Sequence, residues 1–329
     1  MIYLETGSTD PTYNLAYEEW VLTHLTEGEY LILWQNDNAI IIGSNQNTLQ
    51  EIDPAFVREH HIRVVRRTTG GGAVYHDLGN LNYSFIKDRT KDSGMDMSEF
   101  TQLVVKALGS MGVAAEASGR NDILVDGKKV SGTAQRVVNA GGKERILYHG
   151  TLLYKSDPDM IQGALRADPE KFKSKATKSV KSRVGNISDY MPEGLTLYDF
   201  RDRLRDLLSS PDDRQAGPVI DYDAVKKLRD EKYATYEWNY GRSPEFDYAN
   251  KKRFAGGTFE VRLKLEKGVI TDAAIYGDFL SLKPASEIAE ALIGKRYTKE
   301  DVAEVFDRFE ATDYLGTITR EEAVSVVIS

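Results

Sequence analysis

The chain has 329 residues, 41% of them hydrophobic and 29% charged; that is globular composition, it excludes wholesale disorder, and at roughly 150 residues per domain it allows about two domains. There is no cysteine, which removes disulfides, thiolate metal sites and every mechanism with a cysteine nucleophile. Lys plus Arg number 43 against 51 Asp plus Glu, a net charge of −8, and no apolar run approaches the roughly 18 residues of a membrane span, so neither nucleic acid nor a membrane is an expected partner.

Met1–Thr6 carries neither a basic leader nor a long apolar core, and a cytoplasmic location is the expectation. Leu15, Tyr17, Val21, Leu22 and Leu25 suit an amphipathic helix over 14–25. Tyr30–Trp34 and Ala39–Ile42, separated by Asn36-Asp37-Asn38, read as a hairpin. Asp53 before Pro54 caps a helix. Ile62–Arg67 and Leu81–Ile86 read as strands on either side of Gly70-Gly71-Gly72, and Ser98–Leu108 as a capped helix. Asp126-Gly127 between Ile123–Val125 and Lys128–Val130 is a strong hairpin signal, because these residues supply positive φ. His149–Tyr154 is a further strand, so the first ~150 residues are a mixed α/β pattern.

Residues 170–183 are basic, rich in Ser and Thr and without periodicity, which predicts a solvated or mobile loop. Leu195–Leu208 reads as a helix and Ser209–Pro218 as a loop. Thr258–Glu266 and Val269–Tyr276 form a strand pair joined at Lys267-Gly268, followed by short helices at Pro284–Ile293, Thr298–Phe306 and Arg320–Ile328. A domain boundary is expected near 242–252.

Three constellations could carry chemistry. In Arg66-Arg67-Thr68-Thr69-Gly70-Gly71-Gly72-Ala73-Val74-Tyr75-His76-Asp77, consecutive glycines let the backbone approach a ligand and expose amides to an anion. The neighbouring arginines offer a planar fork for carboxylate or phosphate. It is neither a P-loop nor a dinucleotide fingerprint, and the bland reading is a flexible turn beside a surface arginine pair. The second constellation is Gly119-Arg120-Asn121-Asp122 with Lys128-Lys129-Val130-Ser131-Gly132-Thr133-Ala134. Strand alternation sets Lys128 and Lys129 on opposite faces, with Ser131 on the side of Lys129. Both lysines are equally readable as solvated, and Asn121-Asp122 as an Asx turn. The third is His149-Gly150-Thr151; a lone histidine is commonly structural. His60-His61 match no metal spacing, and no Gly-x-Ser-x-Gly elbow occurs.

Together these segments resemble the lipoate–protein ligases of the two-domain bacterial type. The carrying motifs are residues 66–80 (Arg-Arg-Thr-Thr-Gly-Gly-Gly-Ala-Val-Tyr-His-Asp-Leu-Gly-Asn), 117–123 (Ala-Ser-Gly-Arg-Asn-Asp-Ile), 128–134 (Lys-Lys-Val-Ser-Gly-Thr-Ala) and 149–153 (His-Gly-Thr-Leu-Leu), in the family's order and at family-like spacing. Segments 14–19, 42–47 and 182–186 are similar as well. Thr68-Thr69 stands where Arg-Ser is familiar, keeping a hydroxyl before the glycines but losing a charge.

The resemblance implies a mixed α/β (α+β) core like that of biotin ligases and class II aminoacyl-tRNA synthetases. A catalytic domain over 1–245 would be followed by a small accessory α+β domain over 250–329. It also implies two half-reactions, lipoate with ATP giving lipoyl-AMP and pyrophosphate, then transfer to a lysine of apo lipoyl-domain proteins. Dehydrogenase E2 subunits and the glycine-cleavage H protein are the implied acceptors, and Mg²⁺ the accompanying ion. By similarity Lys129 is catalytic, binding the lipoate carboxylate and the α-phosphate. Arg67, Gly70, Gly71, Gly72, Ala73, Val74, Tyr75, Asn121 and Asp122 would hold ATP and the adenylate, with Asp122 on the metal. Leu15, Tyr17, Arg136, His149, Gly150 and Thr151 would form the lipoate pocket, and the 170–183 loop would close over the adenylate. Octanoyltransferases and lipoyl amidotransferases of the same fold work through a cysteine thioester, which this chain cannot form. The non-enzymatic alternative is a protein that binds lipoate or lipoyl-AMP without transferring it, or an accessory to another ligase.

Overall fold

The computed structural model describes residues 1–89, 98–119, 121–165, 184–209, 217–240 and 248–328. The basic 170–183 segment expected to cover the adenylate, Arg120 and most of the 209–218 loop lie outside the described residues. Among the described residues thirteen strands form three sheets. In chain order these are β1 (Ile2–Leu4), β2 (Tyr30–Trp34), β3 (Ala39–Ile42), β4 (Arg63–Arg66), β5 (Val74–His76), β6 (Asn80–Asp88), β7 (Ala115–Ser118), β8 (Asp122–Val125), β9 (Lys128–Ala140), β10 (Lys143–Leu153), β11 (Tyr248–Phe254), β12 (Gly257–Glu266) and β13 (Val269–Gly277).

The large sheet runs β1-β2-β6-β10-β9-β8-β7, mixed because β1 pairs parallel with β2 and the other neighbours are antiparallel. Alternation along β2 sorts its apolar side chains into two cores. Leu31 and Leu33 face a cluster closed by Phe100 and Val104 of the helix Ser98–Ser110 and Phe200 and Leu204 of the helix Leu197–Leu208. Ile32 and Trp34 face the opposite cluster, built with Leu15, Trp20 and Val21 of helix α1 (Pro11–His24) and with Ile41 and Val65 of the small sheet β4-β3-β5. The space between the large sheet and this small sheet holds the site.

The expected hairpin between Tyr30–Trp34 and Ala39–Ile42 does not form. β2 pairs with β1 and β6, whereas β3 pairs with β4 and β5 in the other sheet. Both runs are buried on both faces, so each sits inside a sheet rather than at a two-stranded turn. Asn36 is buried between them, and Asn38 at φ 43° turns the chain away.

The Asp126-Gly127 turn forms as read, at φ 49° and 71°, as does Lys267-Gly268 at 52° and 78°. Asp53 caps its helix by accepting from the amides of Ala55 and Phe56. In the C-terminal region β11-β12-β13 packs on helices Ser286–Leu292, Lys299–Phe306, Ala311–Leu315 and Arg320–Val327 around its own core, from Phe259 to Val327. β11 and the helix Ala311–Leu315 were not anticipated. Asn250-Lys251-Lys252-Arg253 hides strand periodicity because β11 is an edge.

Candidate active site

One row of side chains crosses four strands of the large sheet. Trp34 (β2) pairs with Asn82 (β6), and Asn82 with Thr151 (β10); the Thr151 hydroxyl accepts the Gly132 amide of β9 at 3.2 Å. The next row on the same face is Ile32, Ser84, His149 and Ala134. Above these rows lie Leu15 of α1, Ile41 and His76 of the small sheet, and the Gly71–Val74 segment. Together with Arg67, Asn121, Lys129, Gly132, Thr133 and Gly150 they enclose a cavity of about 120 Å³, apolar over most of its wall.

Its mouth is cationic. Lys129 Nζ lies 2.7 Å from Asp122 Oδ1 and 3.0 Å from where a Cβ on Gly132 would stand, so glycine is what lets the ammonium lie over the strand. Asn121 is tied to Thr133 in both directions, through Thr133 N to Asn121 O at 2.8 Å and Asn121 Nδ2 to Thr133 O at 3.0 Å. The Gly185 amide bonds to the Lys129 carbonyl at 3.0 Å, so the chain leaving the basic segment is anchored at this lysine.

The glycine loop is held from behind by Arg67. Its guanidinium donates to Thr69 Oγ1 at 2.9 Å, Ile41 O at 3.1 Å, Gly70 O at 2.7 Å and Gly72 O at 2.8 Å. Burial lowers its pKa to about 10, leaving it charged at neutral pH. Arg66 points the other way and is satisfied by the carbonyls of Gly43, Ser44, Gln46 and Trp238 and by the Thr48 hydroxyl. Both arginines are buried; they are not a surface pair.

His149 Nδ1–H donates to Glu18 Oε1 at 2.8 Å, since a carboxylate oxygen only accepts, and His149 Nε2 bonds to Thr69 Oγ1 at 2.8 Å, a hydroxyl that also accepts from Arg67. The same carboxylate oxygen accepts from Ser84, whose hydroxyl accepts from Trp34 Nε1 at 2.9 Å. This chain fixes the His149 ring and couples the glycine loop to the floor.

Residues 10–209 match the family model of the lipoyl protein ligase A/B catalytic domain, and residues 243–327 that of the bacterial lipoate protein ligase C-terminus. The chain belongs to the lipoate–protein ligase family. It is 41% identical to lipoate–protein ligase LplJ of Bacillus subtilis over 99% of this chain and 100% of that one. It is 39% identical to lipoate–protein ligase 1 of Staphylococcus aureus over 97% of each. Among solved structures it is similar to a lipoate–protein ligase A bound with ATP (28% identity, TM-score 0.60, 73% of this chain and 97% of that one). It is also similar to a bi-partite lipoate protein ligase from Thermoplasma acidophilum, described with its E2 lipoyl domain (29%, TM-score 0.62, 75% and 97%). The mixed α/β core with a small C-terminal sheet is thus the family's fold.

Of the residues singled out from the sequence, Leu15, Arg67, Gly71, Gly72, Ala73, Val74, Asn121, Lys129, His149, Gly150 and Thr151 line one cavity, and Asp122 stands behind Lys129. Besides Asp122, four do not line it. Tyr17 lies two residues from Leu15, about 200° around the helix, and is buried in the α1 core. Tyr75 alternates with Val74 and His76 and reaches Asn38 instead, at 3.0 Å. Gly70 packs under Phe279 and Ser281. Arg136 faces Glu19 at 3.6 Å, beyond the cavity. Ser131 does not share the side of Lys129, since a register shift opposite these residues breaks the alternation and Ser131 is buried beside Tyr83.

Trp34, Ile41, His76, Asn82 and Gly132 line the cavity without having been singled out for the acyl slot, and Glu18 and Thr69 support it. A signal existed for Asn82: in Leu81-Asn82-Tyr83-Ser84-Phe85 polar residues recur at every second position between large apolar ones, and all five are buried.

Proposed function

We propose that the chain is an ATP-dependent lipoate–protein ligase. The observation that carries this reading is the Lys129 ammonium at the mouth of an apolar cavity, facing a loop of three glycines. An apolar acyl chain would enter the cavity, and its carboxylate would meet the cation where the glycine loop would receive phosphates. The carboxylate oxygen attacks the α-phosphorus of ATP, the bond to the β-phosphate oxygen breaks, and pyrophosphate leaves. A lysine amine of an acceptor then attacks the acyl carbonyl and releases AMP. Lys129 stabilises the charge on carboxylate and phosphoryl oxygens in both steps.

Gly71, Gly72 and Asn121 contact the nucleotide in this reading, while Arg67 positions the loop rather than the phosphates. Asp122 is one carboxylate, and among the described residues no cluster of three His, Asp or Glu could hold a metal alone. That donor set fits Mg²⁺ shared with substrate phosphates, where the ion would neutralise phosphate charge. Apo lipoyl domains, of dehydrogenase E2 subunits or the glycine-cleavage H protein, are the proposed acceptors, with 1–245 carrying the chemistry and 250–329 accessory to it. Among the described residues no helix is long and apolar enough to cross a membrane.

The test is acceptor mass and AMP release with purified chain, ATP, Mg²⁺, lipoate and a panel of apo lipoyl domains. Lys129→Ala should lower adenylate formation by about a hundredfold or more, while Lys128→Ala, exposed on the other side of the strand, should change it little. Equal rates in wild type and both variants would remove Lys129 from the mechanism.

A further inference from the structure

Two buried N–H donors at the closed end of the cavity have no acceptor among the described residues. The first is on His76. Asn14 Nδ2 donates to three oxygens, Ser8 O at 3.1 Å, Gln35 O at 2.7 Å and Asn36 Oδ1 at 2.9 Å. This fixes the Asn36 amide so that its Nδ2 donates to His76 Nδ1 at 3.1 Å. The ring proton of His76 therefore sits on Nε2, which is buried and unpartnered. Burial, with Arg67 and His149 nearby, lowers the His76 pKa to about 3 and keeps the ring neutral at physiological pH. The second donor is Asn82 Nδ2, which has no partner among the described residues, while Asn82 Oδ1 accepts from Asn80 Nδ2 at 2.9 Å.

Both side chains line the cavity and are nearly fully buried, and a buried donor without a partner is costly. Both belong to its far end. Asn82 lies on β6, two strands from β9 where Lys129 stands, a separation of about 10 Å at ordinary strand spacing. His76 bonds to Asn36, two residues beyond Trp34, which closes the end on β2. An anion is already served at the mouth by Lys129. A neutral histidine and an amide among Leu15, Trp34, Ile41 and Val74 suit instead a neutral, polarisable, weak acceptor set within an apolar body, and divalent sulfur has that chemistry.

We propose that His76 Nε2–H and Asn82 Nδ2–H donate to the sulfurs of the dithiolane ring, and so make the cavity prefer lipoate to an acyl chain of carbon alone. This rests on the cavity being the lipoate site. The decisive comparison is lipoate against 5-cyclopentylpentanoate, which keeps the ring and chain but lacks sulfur.

With the full chain, ATP, Mg²⁺ and an apo lipoyl domain, kcat/KM should favour lipoate by about tenfold. In Asn82→Leu and in His76→Leu that ratio should fall toward one, mainly through the KM for lipoate. A wild-type ratio near one, or variants that slow both acids equally, would overturn the proposal. Should His76→Leu fail to fold, the wild-type ratio and Asn82→Leu decide the matter. If the wild type activates neither acid, the ligase reading itself fails. Calorimetric Kd values of the two acids without ATP then judge the donors separately: a tenfold difference that Asn82→Leu removes supports them, and equal values reject them.

Discussion

His76 carries a consequence for stability that is independent of any ligand. Its folded pKa is about 3 because burial penalises the imidazolium, against about 6.5 in the unfolded chain. Below about pH 6.5 the unfolded chain binds a proton that the folded chain refuses, so stability is lost as pH falls from there toward the folded value. By pH 5 that amounts to about 2 kcal/mol, at roughly 1.4 kcal/mol per pH unit. His76→Gln removes the titrating group, so between pH 7 and pH 5 the wild type should lose about 2 kcal/mol more than the variant. Urea midpoints at the two pH values measure the difference directly. Parallel losses would mean that the ring takes up its proton in the folded state, and the tautomer deduced from Asn14 and Asn36 would be wrong.

At the scale of elements, the glycine loop is positioned by close contact with the 43–46 turn. A Cβ on Gly43 would collide with the Gly71 carbonyl oxygen, and Ser44 N bonds to Thr69 O at 2.8 Å across the same gap. Gly72, one residue further on, has open space where a Cβ would stand and no positive φ. Gly43→Ala should therefore cost about 1–3 kcal/mol through overpacking, while Gly72→Ala stays within about 0.5 kcal/mol. Thermal unfolding of the two variants distinguishes a loop held by its neighbour from three interchangeable glycines. The glycine run was plain in the sequence, but which glycine is indispensable was not, because the answer sits on a loop some 28 residues away. Local chemistry was legible where it is self-contained: the turn at Asp126-Gly127, the cap at Asp53, the helix from Leu197. It failed where pairing is distant. β2 and β3 look like a hairpin locally and belong to different sheets. Arg66 and Arg67 look solvated, yet each is dissolved in carbonyls gathered from several segments. Tyr17 was a different kind of miss, since helical geometry alone sets it away from Leu15.

For the molecule as a whole, the C-terminal region braces the segments that line the site from outside. Phe279 O accepts the Gly71 amide at 3.1 Å, and Leu282 O accepts the Val137 amide of β9 at 3.0 Å. Leu282 is buried with Val137 and Ile146. Residues 277–282 thus form a strap, and Asn45, on the turn that braces the glycine loop, fastens it. Its carbonyl accepts from Gly277 at 2.5 Å, and its amide donates to Ser281 Oγ at 3.0 Å. Asn45→Ala leaves the buried Ser281 hydroxyl without that partner, a loss of about 1–3 kcal/mol. If the strap and the glycine loop open together, that loss appears as faster exchange of the Gly71 amide, by about tenfold or more, because its acceptor is on the strap. Among the described residues the Asp126-Gly127 hairpin shares no bond with the strap, and its exchange should not change. Hydrogen exchange read at both places separates two outcomes. Faster exchange at Gly71 alone means that the C-terminal region governs the loop that lines the cavity, whereas an unchanged Gly71 amide means that the loop is held by Arg67 and Gly43 without its help.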